Sequence, residues 1–167
     1  PWSVHTSTPT KRNSYLWMKQ GDFLRFIEQV KGVLTEHQII KNMSNDHFYG
    51  PIGKIDYKIV GHSAGGSTIK RLGITGDLCK LNPSMVVWSD SSYGNWFRDA
   101  WNGCLKKTKI PVQIFVKKWG KPHIRTRDFL KSLKTQPETV KFEVMGRGWS
   151  HKLIGDNVVS LSNRPFS

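Results

Sequence analysis

Apolar residues along the chain fall into two rhythms. Between Gly21 and Ile40, Phe23, Leu24, Ile27, Val30, Val33 and Leu34 recur at steps of three and four, with Arg25, Glu28, Lys31 and Glu36 between them. That spacing gathers the apolar set on one face of a helix, and Asp22 suits its cap or first turn. Shorter runs read as strands: Ile55–Val60, Met85–Ser89, Val112–Val116 and Val140–Met145. The first of them alternates, Ile55, Tyr57 and Ile59 against Asp56 and Lys58, so one end of it is expected to be partly exposed. Helical spacing returns after each strand. It covers Gly66–Leu72, then Trp96, Phe97, Ala100 and Trp101 up to about Gly103, then Thr126–Lys134, then Lys152–Leu161. Pro1–Lys19, Lys41–Lys54 and Gly73–Pro83 read as irregular or loop, and Gly120-Lys121-Pro122 as a break. An opening helix followed by four strand–helix units predicts an α/β fold, a mostly parallel sheet flanked by helices, in a single domain over residues 1–167. In such sheets function collects at the C-terminal ends of the strands.

The first strand runs directly into Gly61-His62-Ser63-Ala64-Gly65, and a helix-compatible stretch follows. Strand, tight turn and helix is the setting in which Gly-x-Ser-x-Gly has chemical meaning. The glycines let the backbone turn sharply, so the serine hydroxyl stands exposed above the sheet, and the N–H of the next residue, Ala64, can face a developing oxyanion. Two further residues fall at strand ends: Asp90 after the second strand and His151 after the fourth. In a parallel sheet the three loops emerge on one edge, which lets a nucleophile, a base and an orienting carboxylate meet from distant points of the chain.

With Gly-His-Ser-Ala-Gly at the elbow and His151 just past the last strand, the stretch from Ile55 to about Leu161 resembles the α/β-hydrolase superfamily. Gly21–Ile40 corresponds to the helix before the nucleophile strand. Asp90-Ser91-Ser92-Tyr93-Gly94 is similar to an Asp-Ser-x-Tyr-Gly stretch in poorly characterised bacterial hydrolases of this fold. The resemblance implies Ser63 as nucleophile, His151 as general base, Asp90 as acid and the Ala64 N–H as one oxyanion donor. Two departures stand out. The family's acid usually follows the strand before the histidine strand, where this chain reads Lys117-Lys118-Trp119-Gly120-Lys121-Pro122-His123, without a carboxylate. The family's early strands and its oxyanion loop also have no counterpart before Gly21. The chain is therefore expected to be the C-terminal part of a longer domain, with the second oxyanion donor unidentified.

Charge adds a bias toward certain substrates. The 167 residues carry 26 Lys and Arg against 12 Asp and Glu, a formal +14. Such a surface favours polyanions. Lys117, Lys118, Lys121, Arg125 and Arg127 cluster after the third strand, and Arg147 lies before His151. Trp119, Trp149 and Arg147 are candidate substrate contacts at the active edge; core packing is the equally natural reading of the two tryptophans. His62 reads as a residue that packs at the elbow or supports the site rather than as a base, and His123 as a surface histidine, with lining of the site's mouth the alternative. The six histidines show no metal-ligand spacing, and no phosphate-binding glycine loop occurs, so neither metal nor cofactor is expected. No run of about 20 apolar residues is present. Cys79 and Cys104 each precede a strand; a disulfide near one end of the sheet, implying an oxidising extracellular or periplasmic setting, and two buried thiols fit the sequence equally well.

The reading that follows is a serine hydrolase cleaving an ester. Its rivals are an amidase or peptidase acting on an anionic envelope polymer, and a non-catalytic polyanion-binding protein on a hydrolase scaffold. The expected partner is a small-molecule or polymer substrate, with no specific nucleic-acid readout. Oligomeric state is not addressed by the sequence.

Overall fold

The computed structural model describes residues 19–36 and 56–165. Four strands, β1 (Lys58–His62), β2 (Met85–Ser89), β3 (Val112–Lys117) and β4 (Val140–Met145), form one sheet in the order β1-β2-β3-β4. Every neighbouring pair is parallel, with Gly61 opposite Trp88, Ser89 opposite Phe115 and Val116 opposite Val144. The helices are α1 (Asp22–Glu36), α2 (Gly65–Thr75), α3 (Asp77–Leu81), α4 (Trp96–Gly103), α5 (Lys121–Ser132), α6 (His151–Asp156) and α7 (Val158–Ser162). The expected α/β class is therefore the observed one.

Each crossover advances one strand in the same direction, so its helices gather on one face of the sheet. There Val86, Trp88, Val112, Ile114 and Val116 pack against Ile69 and Leu72 of α2, Leu78 of α3, Phe97, Ala100 and Trp101 of α4, Leu130 of α5 and Phe23 of α1. The Trp88 ring is fully buried and meets Phe97 edge-on at 5.7 Å. The alternate strand residues, Val87, Phe115 and Met145, point the other way and are covered by Ile154 and Leu161 of α6 and α7. Both faces are thus closed, which is why β2 and β3 read as almost unbroken apolar runs. Helices α2 and α4 approach closely because glycine lies at the contact: a Cβ on Gly73 would stand 2.6 Å from the Ala100 Cα.

Several boundaries differ from the sequence expectation, each for a local reason. Strand β1 starts at Lys58 and runs through His62, because Gly61 and His62 still pair with Trp88 and Ser89. The stretch Gly73–Pro83 is not all loop. Gly76, at φ 84°, ends α2 by donating its N–H to the Gly73 carbonyl, and α3 begins at the next residue. Asp77 in that short helix is buried, and both its carboxylate oxygens accept the Gly21 N–H, at 3.0 and 2.9 Å. Helix α5 begins at Lys121 rather than Thr126, since Pro122 sits in its first turn, where a missing N–H costs nothing. The last helix is two short ones parted at Asn157. On α1, Val33 is exposed rather than on the buried face. Residues 37–55, including the expected end of the first helix, the 41–54 loop and the first residue of the first strand, lie outside the described residues, as does 1–18. No described helix is long and apolar enough to cross a membrane.

Cys79 of α3 and Cys104, just after α4, form a disulfide with their Cα atoms 6.1 Å apart. The bond closes a loop of sequence separation 25. Replacing both cysteines by serine is expected to lower the unfolding free energy by about 3 kcal/mol, the loop-closure value for a ring of this size. Urea denaturation of the two proteins reads it; equal midpoints would show that the bond adds nothing.

Candidate active site

Ser63, Asp90 and His151 sit at the C-terminal edge of the sheet, after β1, β2 and β4. Ser63 has φ 52°, a left-handed conformation that disfavours any residue with a Cβ. Its N–H still donates to the Ser89 carbonyl at 3.3 Å, so the turn is held by the last pair of the ladder. Helix α2 starts two residues later, and its first turn closes through Gly66 N–H to the Ser63 carbonyl and Ser67 N–H to the Ala64 carbonyl. Ala64 stands at the N-cap position, where backbone N–H groups lack intrahelical acceptors and the helix dipole favours negative charge.

Asp90 is 2 % exposed and has φ 45°. Its N–H donates to the Phe115 carbonyl at 2.7 Å, and its Oδ1 accepts the Lys117 N–H at 3.0 Å. Both ends of the residue are therefore tied to β3. The free oxygen, Oδ2, lies 2.6 Å from His151 Nδ1. A carboxylate is an acceptor only, so Nδ1 carries a proton, and in the neutral ring the lone pair is left on Nε2. His151 is the first residue of α6, whose start is pinned by the Ser150 hydroxyl accepting the Leu153 N–H at 3.0 Å.

Gly66 is where the acid loop meets the elbow. A Cβ there would overlap the Ser91 carbonyl oxygen, so the loop from Asp90 to Gly94 lies directly against the start of α2. That brings Tyr93 toward Ser63, near enough for the serine side chain to act on its phenol. Burial, and next the Asp90 charge, raise the Tyr93 pKa, so the phenol stays protonated and can donate. Its ring stands edge-on to Trp96 at 5.6 Å. Among the described residues no hydrogen bond joins Ser63 to His151; such bonds commonly close only with substrate in place.

The other expected contacts separate. Trp119 is 67 % exposed at φ 62°, with Lys118 Nζ 5.8 Å from its ring centroid. Arg147 is exposed on the loop before His151. Trp149 packs, half-buried, on the core cluster of Val87, Phe115 and Ile154. His123 is not a surface residue: it is 7 % exposed, and its Nδ1 accepts the Trp119 N–H at 2.9 Å. Burial first, then Arg127 and Lys118, lower its pKa, which preserves the lone pair that this bond needs. Asp128 and Asp99 are on helices, paired with Arg127 and Arg98. The sequence reading did not single out Tyr93 or the Lys117 N–H. Tyr93 lay inside the quoted acid loop; the backbone donor has no sequence signal.

A scan against protein-family models and searches of curated proteins and of solved structures found no match to this chain. The geometry must therefore carry the functional reading.

The contact at Gly66 is open to a paired test. Gly66→Ala is expected to destabilise the fold by about 1–3 kcal/mol, because backbone must move to admit the methyl group. Gly65→Ala, which meets nothing within 4 Å, should change stability by less than about 0.5 kcal/mol. Thermal unfolding of both variants checks this, and equal effects would contradict the packing described.

Proposed function

We propose that the protein is a serine hydrolase of the α/β-hydrolase type that cleaves an ester through an acyl-enzyme. The observation that carries this reading is the 2.6 Å bond between His151 Nδ1 and a buried Asp90 whose other oxygen is occupied by backbone. That arrangement fixes the base tautomer, at a sheet edge where a serine occupies a left-handed turn before a helix. In the proposed reaction Ser63 Oγ attacks the carbonyl carbon while its proton passes to His151 Nε2. The carbonyl electron pair moves onto oxygen, facing the Ala64 N–H and the Tyr93 hydroxyl. Collapse expels the alcohol, which takes the proton from His151, and water repeats the sequence to free the acid.

Two further features support the resemblance to that superfamily. The helices of the three crossovers, α2 to α5, share one face of the sheet while α6 and α7 cover the other, with the base at the start of α6. Asp90 follows β2 rather than β3, the less usual place for the acid, and the Lys117 N–H compensates by anchoring it across β3. The exposed Lys117, Lys118, Lys121 and Arg125 beside Trp119 favour an anionic substrate, drawn in by a field that salt would screen. An anionic envelope polymer fits that preference, through its ester or its amide bonds. The disulfide is compatible with an oxidising compartment outside the cytosol.

A fluorophosphonate should label the wild-type chain on Ser63 and leave Ser63→Ala unmodified, as read by intact-mass spectrometry. Absence of labelling in the folded wild type, or equal labelling of both, would contradict the assignment. Polyanion binding that survives Ser63→Ala without any labelling would favour a binding protein instead.

A further inference from the structure

His62, between the first glycine and the nucleophile, has a specific location. Its imidazole stacks on that of His151, with ring centroids 4.6 Å apart and planes 28° from parallel. Its Nδ1 lies 2.9 Å from the Ser89 carbonyl oxygen, an acceptor, so Nδ1 carries the proton and the ring is anchored to the end of β2. The Nε2 end of the ring rests on Gly155. A Cβ at that position would be 2.5 Å from His62 Nε2 and 2.9 Å from Cδ2 and Cε1. Gly155 is four residues after His151 on the same helix, so the two lie on one face, one turn apart. The His62 ring thus packs on α6, in contact with both the proposed base and a glycine one turn on.

The Asp90 bond alone does not orient the base. A single hydrogen bond to Nδ1 tolerates rocking of the imidazole about its Cβ–Cγ bond, and such rocking moves Nε2 relative to Ser63. A flat ring stacked on its face removes that freedom. We propose that His62 is a positioning residue: its ring, seated over Gly155 and anchored to the Ser89 carbonyl, holds the His151 imidazole in the plane from which Nε2 takes the Ser63 proton. This inference rests on the proposed roles of Ser63 and His151.

The charge state of His62 suits that task. Burial, first, and the neighbouring His151 lower its pKa, against opposing contributions from the Ser89 carbonyl, Asp90 and Asp156. A neutral ring can lie against His151 when the latter becomes an imidazolium in the transition state; two positive rings at that separation would repel.

The test separates the ring face from the hydrogen bond. The probe is a fluorophosphonate, and the readouts are its saturating inactivation rate, its half-saturating concentration and the thermal midpoint. His62→Asn can still reach the Ser89 carbonyl through its side-chain N–H but offers no ring. Its inactivation rate is expected to fall about tenfold to a hundredfold at unchanged half-saturation. His62→Phe keeps a flat ring and loses the hydrogen bond. It should lower the thermal midpoint yet react within about threefold of wild type. Gly155→Ala, which displaces the His62 ring without altering it, should slow inactivation as His62→Asn does. It serves if the phenylalanine variant fails to fold. Reaction of the asparagine or alanine variant at the wild-type rate would overturn the positioning role while leaving Ser63 as nucleophile. If wild type itself is never labelled on Ser63, both assignments fall together.

Discussion

The arrangement at the active edge depends on the Asp90 carboxylate. One oxygen takes the Lys117 N–H at 3.0 Å and the other faces His151 Nδ1 at 2.6 Å. Burying a carboxylate is costly unless its oxygens are satisfied. Here one is met by the end of β3 and the other by the residue that opens α6. The group therefore joins three consecutive strand exits, those of β2, β3 and β4. Any movement of β3 relative to β2 would leave a polar group unpaired in the interior, so the bond contributes to the rigidity of the edge.

Backbone strain follows the same edge. Ser63 after β1, Asp90 after β2 and Trp119 after β3 are all left-handed non-glycine residues, and Gly148 takes that role after β4. Each such residue costs on the order of 1 kcal/mol, and it persists only where its surroundings determine it. Ser63 is held by the Ser89 carbonyl, Asp90 by the Phe115 carbonyl, and Trp119 by the ring nitrogen of His123. Three of the four left-handed non-glycine residues among those described lie at neighbouring exits, the fourth being Asn82 after α3, and this grouping fits an edge shaped to present side chains above the sheet. The glycines complete it by allowing close approach: Gly66 admits the acid loop against the elbow, and Gly155 admits the His62 ring against α6.

How much of this was readable beforehand follows from what each feature depends on. The strands β2 and β4 were legible to the residue because apolar runs bounded by turn signals leave little freedom. The spacing of Ser63, Asp90 and His151 at strand ends was legible because a parallel sheet puts those ends together. The boundaries of α3 and α5 were not, because Gly76 and Pro122 act both as breakers and as starters of the next helix, and only the dihedral angle decides. The Lys117 N–H, which anchors Asp90, leaves no trace in a side-chain pattern. His123 looked like a surface residue amid lysines and arginines. It is buried because a left-handed Trp119 needs an acceptor for its N–H. His62 gave no sign of its stacking partner, since that contact joins residues 62 and 151 through Gly155.

The central claim is that Asp90, one strand earlier than the family's usual position, is the carboxylate that directs His151. The most direct measurement is the fluorophosphonate inactivation rate of folded Asp90→Asn against wild type. With its amide oxygen kept on the Lys117 N–H, the asparagine turns its NH2 donor to Nδ1 and disfavours the Nδ1–H tautomer. The account predicts a rate lower by about 10⁴, the size of the loss when the orienting carboxylate of a triad becomes an amide. A rate within about threefold of wild type would contradict it and place the orienting group elsewhere.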